Sequence, residues 1–169
     1  MAVAFGAAMI AAPTWASWGR FLDRHWWARY LDAMASRFPN WTHGRQPQKT
    51  SSMFFPSGTA GLRYQVGFAW PTGAKNYLLR VGLYMGDGSK WFHQFQARAE
   101  EIEDSLGSEL AELLQWEEIP DAVASRVAIY LEPVIPSDRD SWTKYRAFAL
   151  DALEKLSEAF RPVIRPIVK

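Results

Sequence analysis

The stretch LRYQVGFAW at residues 62–70 decides the fold, because apolar residues alternate in it with polar or small ones. A period of two over nine residues is typical of a β-strand that buries one face. After Pro71-Thr72-Gly73, the stretch LRVGLYM at 79–85 repeats the alternation. The connection is too short for a parallel crossover, so the sequence predicts two neighbouring antiparallel strands.

Further elements extend this pair on both sides. Shorter strand patterns lie at 53–55, 113–119 and 126–131. Apolar residues recur at helical spacing over 15–38, 89–107 and about 142–160. Asp138 or Asp140 is expected to cap the last helix, and Pro162 to end or kink it. The order α-β-β-β-α-β-β-α predicts an α+β fold with two layers, in which a five-stranded antiparallel sheet carries helices mainly on one face.

Length and composition favour one domain over residues 15–169, preceded by a poorly ordered apolar leader over 1–14. Either Met1 or Met9 suits the start of translation. The absence of Cys from the sequence excludes disulfides, thiolate catalysis and Cys-based zinc sites, and it fits a cytoplasmic location. The leader is too short to span a bilayer, so we expect no membrane association. The 19 basic and 18 acidic residues give a net charge of +1, which is no general attraction for nucleic acid.

No motif for a known chemistry emerges from the sequence. The residue two positions before each of the six Lys is never acidic, which removes the acid-x-Lys element of restriction-type nucleases. The three His stand far apart and lack the spacing of a zinc site. Gly86-Asp87-Gly88 is an isolated G-x-G that fits a turn better than a phosphate cradle. We therefore expect no catalytic residue, metal or cofactor, although an enzyme with scattered site residues stays an alternative.

The sheet face opposite the aliphatic one carries the pattern that favours a function. Its candidate binding residues for a protein partner or nucleic acid are Arg63, Gln65, Arg80, Tyr84, Arg126 and Tyr130. Arginine beside tyrosine suits phosphate contact, base stacking or a protein hot spot. Small residues between them, such as Gly82, allow another backbone to approach closely. The alternative is a solvated face, or one whose Arg side chains are paired with carboxylates.

Several segments in a fixed order carry a family resemblance. They are RVGLYM at 80–85, Phe95, IEDSLG at 102–107, LQWE at 114–117, SRV at 125–127 and DRDSW at 138–142. This series resembles the bacterial and archaeal domain of unknown function 4268, from about residue 15 to residue 164. Two departures are Gly82, where members often have an acidic residue, and a longer stretch at 108–113.

The resemblance implies which domains usually accompany this one, but it implies no reaction. Members usually sit as C-terminal domains behind nuclease-like or other DNA-associated domains, and no catalytic set is established for them. The leading hypothesis is therefore a non-catalytic interaction domain that binds protein or nucleic acid, as an accessory of DNA restriction or phage defence. The alternatives are an enzyme acting on nucleic acid and a chaperone-like or homodimeric structural protein.

Overall fold

A computed structural model describes residues 24–70, 74–86, 89–119 and 124–165. Its strands are β1 (Ser52–Pro56), β2 (Leu62–Ala69), β3 (Tyr77–Met85), β4 (Leu114–Ile119) and β5 (Ala124–Val134). They form one antiparallel sheet in the order β1-β2-β3-β5-β4. The helices are α1 (Arg24–Arg37), α2 (Pro39–Thr42), α3 (Ser89–Gln96), α4 (Ala99–Leu106), α5 (Ser108–Ala111) and α6 (Trp142–Ile164). The predicted α+β class and five-stranded antiparallel sheet are confirmed.

The core lies between one face of the sheet and the described helices. The alternating residues of β2 and β3 that were predicted to be apolar and inward, such as Val66 and Val81, are fully buried there. From the helices, Trp26 stacks on Tyr30 with ring centroids 5.2 Å apart, and Phe95 meets Phe160 edge-on at 5.3 Å. These large rings fill the helix side of the sheet, which leaves its other face without a described helix against it.

The predicted helix over 89–107 is wrong in one respect, because it breaks in two. Arg98 has φ −117° and ψ 24°, outside the helical region, and its N–H donates to the carbonyl of Phe95 at 2.9 Å. The break has a packing reason. α3 lies against β4 and β5, whereas α4 lies against α6, and one straight helix does not serve both neighbours.

Other boundaries also shift. Pro39 does end α1, but it starts the single turn α2, as proline does at the first position of a helix. β5 runs on to Val134 through Pro133, with a register shift in the opposing β3 between Tyr77 and Leu79. Pro162 does not end α6, which runs on to Ile164. The leader over 1–14 and the predicted start of the first helix lie outside the described residues.

Candidate interaction face

The pairing register places all six predicted binding residues on one side of the sheet, here called the open face. The partners across the strands are Arg63 with Tyr84, Gln65 with Gly82, Tyr84 with Arg126, and Arg80 with Tyr130. The side chains that the described helices bury all belong to the other side. The sheet therefore brings together, on one surface, residues that lie up to 67 positions apart, from Arg63 to Tyr130.

One end of the open face is a network that we call the paired cluster: Arg80, Glu117, Arg126 and Tyr130. The Arg126 Nε donates to Glu117 Oε2 at 2.6 Å, and the Tyr130 hydroxyl donates to the same oxygen. The side chains of Arg126 and Glu117 are only 16% and 30% exposed. The ion pair is thus largely withdrawn from water, where charge-assisted hydrogen bonds are strong.

The electrostatics of the paired cluster follow from this burial. Burial raises the pKa of Tyr130 to about 12, with its hydrogen bond to Glu117 as the second cause. Burial lowers the pKa of Arg80, and the neighbouring charge of Arg126 lowers it further. Burial is the largest influence on Arg126 and opposes its charge, but the hydrogen bonds and charges of Glu117 and Tyr130 together outweigh it and raise the pKa of Arg126. Glu117 is ion-paired with Arg126, whereas the buried Nε of Arg80 has no hydrogen-bond partner among the described residues.

The other end of the open face is an aromatic cluster, made of Phe54, Arg63 and Tyr84. The Arg63 guanidinium lies 4.6 Å from the centre of the Phe54 ring and 5.7 Å from that of Tyr84. The two rings meet edge-on, with centroids 5.8 Å apart. Arg63 is exposed and both rings are half-buried. Among the described residues Arg63 has no ion-pair partner, so its charge is held by rings rather than neutralised.

A strip that contains Gly82 and Ala128 lies beside both clusters, whose members Tyr84 and Arg126 pair directly across the strands. A Cβ added to Gly82 would lie 2.7 Å from the Ala128 Cβ and 2.8 Å from the carbonyl oxygen of Val127. Gln65 continues the strip and is buried, with its Oε1 lacking a partner among the described residues. Beside the paired cluster, a pocket of about 330 Å³ is lined by Leu78 and Trp70 as well as by both Arg side chains. Gly82 thus allows β3 and β5 to pack closely in the middle of the face, and a recess lies at one end.

Two members of these clusters were not predicted from the sequence. Phe54 could have been found by alternation, because Met53 and Phe55 are buried on the helix side. Glu117 could have been found from the pairing of the two strands, because a register that pairs Ile119 with Ala124 also pairs Glu117 with Arg126. Its neighbour Glu118 pairs with Ser125 and therefore belongs to the helix side of the sheet. The alternative of Arg paired with a carboxylate applies to Arg126 but not to Arg63.

Two further observations concern sites and membranes. Within the described ranges, no three His, Asp or Glu side chains are grouped so that they could hold a metal ion. No described helix is both long enough and apolar enough to cross a bilayer.

Comparison with known proteins gives one match. A family model described as Domain of unknown function (DUF4268) matches residues 22–164, which confirms the resemblance drawn from the ordered segments. No curated protein and no solved structure matches the chain.

Proposed function

We propose that this chain, which belongs to the family described as Domain of unknown function (DUF4268), is a non-catalytic interaction module that binds a protein partner across the open face. The observation that carries the proposal is the aromatic cluster. An arginine that is exposed and has no ion-pair partner among the described residues lies there on two half-buried rings. Arginine and tyrosine are the residue types that dominate binding energy at protein interfaces.

The paired cluster is the reason for ranking a protein above a nucleic acid. A protein that follows a nucleic acid backbone gains affinity from cations that neutralise phosphates. On the open face, Arg126 already has Glu117 as its partner, so the charge of Arg126 is not available to a phosphate. Mixed charge of this kind supports recognition of a partner that also carries both signs.

Nucleic acid is the second candidate, and the aromatic cluster also favours it. Single-stranded nucleic acids bind through bases that stack on rings, with arginine adding contacts to the backbone. The family's usual neighbours, nuclease-like domains, motivate a place for either version of the module as an accessory in DNA restriction or phage defence. Because free cations are few, we expect about one or two phosphate contacts, each lowering the logarithm of the affinity by about 0.7 for every tenfold rise in salt concentration.

Site-specific photocrosslinking tests the proposal directly. A benzophenone amino acid at Phe54 samples the open face, and the same group at Phe148 samples the helix layer with a residue of the same type and similar exposure. Crosslinking in host lysate is followed by mass spectrometry, with and without nuclease. Arg63→Ala in the Phe54 background should lower the yield at least about tenfold, as loss of a hot spot does. Lys144→Ala, an exposed cation on α6, is the charge-matched control.

Each outcome has a defined meaning. A discrete adduct that is specific to Phe54, resists nuclease and depends on Arg63 supports a protein partner. Loss of the adduct on nuclease treatment assigns the face to nucleic acid instead. An adduct of twice the chain mass assigns it to a homodimer. Equal adducts from Phe54 and Phe148, or none at Phe54, overturn the open face as the binding surface.

A further inference from the structure

A second recess lies on the helix side of the sheet, at the C-terminal end of α6. It encloses about 450 Å³, within the usual range for small-molecule pockets. Its walls come from α2, from the turn between β1 and β2, from β2 itself and from the last turns of α6. The side chains that matter here are Trp41, Thr59, Tyr64, Arg161 and Arg165.

The polar groups of this recess are mainly donors. Arg161 and Arg165 are exposed, and neither has an ion-pair or hydrogen-bond partner among the described residues. No lining residue carries a carboxylate. The Tyr64 hydroxyl likewise has no hydrogen-bond acceptor within the described chain. Burial raises the pKa of Tyr64 far above the physiological range, against the opposing charge of Arg161, so the phenol keeps its proton and can donate.

The helix dipole does not fully explain why two arginines lie at this end of α6. Basic residues near a helix C-terminus are favoured by the helix dipole, by about 0.3–1 kcal/mol. However, Arg161 and Arg165 stand four apart, where like charges repel each other by a comparable amount. The dipole therefore accounts for one arginine more readily than for two. It does not account for their sharing a recess with a phenol that lacks an acceptor.

The floor of the recess is rigid. Trp41 packs parallel to Tyr64, with centroids 5.2 Å apart, and to Phe38 at 4.5 Å. The turn beside it is fastened by Ser57, whose hydroxyl donates to the carbonyl of Leu62 at 2.8 Å. Gly58 in that turn has φ +84°, which only glycine adopts at little cost. A ligand would thus meet fixed walls on three sides and two long arginines on the fourth.

We propose that this recess binds a small organic phosphate monoester, with the phosphate held by Arg161, Arg165 and the Tyr64 hydroxyl. Three donor side chains suit the three terminal oxygens of a phosphate monoester better than the two oxygens of a carboxylate. Arginine pairs with phosphate through parallel hydrogen bonds. The volume beyond the phosphate is bounded by Trp41 and Ile164, which fit an organic group. The site lies on the other side of the sheet from the open face. A test of phosphate binding in the recess therefore does not depend on the proposed interaction module.

Binding measurements with simple probes test this assignment. Isothermal titration with phenyl phosphate and glycerol 3-phosphate is compared with titration of benzoate and phenol, which supply a carboxylate and a bare ring. We expect at least one of the two phosphates to bind, benzoate to bind more weakly and phenol not to bind. The affinity should rise as pH increases through about 6, where the phosphate loses its second proton.

Variants then locate the site. Arg161→Ala/Arg165→Ala should weaken phosphate binding at least about tenfold, and Tyr64→Phe by about threefold, since it removes one neutral donor and keeps the ring. Lys144→Ala/Lys155→Ala removes the same charge from exposed positions of α6 and should leave binding unchanged. Thermal unfolding of each variant shows that it is folded.

A last binding experiment asks whether the phosphate belongs to a free ester or to the end of a nucleic acid. A 5′-phosphorylated oligonucleotide that binds about tenfold tighter than phenyl phosphate, while its unphosphorylated form does not bind, assigns the site to a nucleic acid end. Equal or weaker binding assigns it to a free ester. No saturable binding by either simple phosphate at millimolar concentration, or unchanged binding in Arg161→Ala/Arg165→Ala, overturns the proposal.

Discussion

The two ends of the open face use the same residue types in opposite ways. In the paired cluster, Arg126 and Tyr130 both donate to one oxygen of Glu117, and the network is largely withdrawn from water. In the aromatic cluster, Arg63 and Tyr84 are joined by a ring contact alone, and the charge remains available. An arginine beside a tyrosine on a sheet is therefore not one signal but two. The nearest carboxylate decides whether the pair stabilises the fold or offers a binding surface.

Removing Glu117 should have the largest effect on stability. It takes away the carboxylate that distinguishes the paired cluster from the aromatic cluster. Glu117→Ala leaves Arg126 and Arg80 side by side without a counter-charge and deprives the Tyr130 hydroxyl of its acceptor. We expect a loss of about 2 kcal/mol in the free energy of unfolding, less than for a fully buried pair because Glu117 is partly exposed. Glu118→Ala, on the opposite face, should cost under about 0.5 kcal/mol. Urea unfolding compares the two variants. A loss of stability for Glu117→Ala as small as that for Glu118→Ala would mean that the paired cluster contributes nothing to stability.

Alkaline pH should also erode the paired cluster. Burial raises the pKa of Tyr130 to about 12, whereas a tyrosine in the unfolded chain ionises near pH 10. Between these values only the unfolded chain loses the proton, so the contribution of the folded phenol is complete below about pH 10 and is lost as pH approaches about 12. The stability difference between wild type and Tyr130→Phe should therefore narrow by about 2 kcal/mol across that interval.

Chemical unfolding of both proteins at several pH values measures this narrowing. Tyrosines elsewhere in the core titrate equally in the two proteins, so the comparison isolates Tyr130. A difference that stays constant up to about pH 12 would contradict the placement of the Tyr130 hydroxyl against Glu117.

Removing Arg63 should have the smallest effect on stability and the clearest effect on binding. An exposed cation–π contact contributes about 0.5–1 kcal/mol at most, and surface substitutions usually stay within about 0.5 kcal/mol. Arg63→Ala should therefore unfold close to wild type, while Arg126→Ala, which leaves Glu117 without its partner, should be less stable by about 2 kcal/mol. Thermal and urea unfolding measure the stability of both variants against wild type. A large loss of stability for Arg63→Ala would show that the aromatic cluster is structural.

The sequence predicted the open face well because a strand has a strict period. Once the alternation in β2 and β3 is seen, the faces of Arg63, Gln65, Arg80 and Tyr84 follow without knowledge of the register. The chemical state of each arginine does not follow in this way. It depends on which carboxylate lies across the sheet, and that requires the pairing of β4 with β5.

The recess at the end of α6 was missed for a different reason. Trp41, Tyr64 and Arg161 come from a helical turn, a strand and a distant helix, and no spacing in the sequence connects them. Arg161 and Arg165 also lie near a helix C-terminus, where basic residues are common, so their positions in the sequence indicated no ligand there. Only the packing of α6 against the sheet shows that these side chains share a recess.

The strand order β1-β2-β3-β5-β4 divides the sheet into a meander and a hairpin that meet along one border, between β3 and β5. The aromatic cluster belongs wholly to the meander, whereas the paired cluster joins Arg80 of the meander to three residues of the hairpin. Pairing across that border closes a long loop, and such pairings form late because chain entropy opposes them. We expect the aromatic cluster to assemble early, with the meander alone. The ion pair of Arg126 and Glu117 lies within the hairpin and can form with it, whereas Arg80 reaches its neighbours only when the two parts have docked.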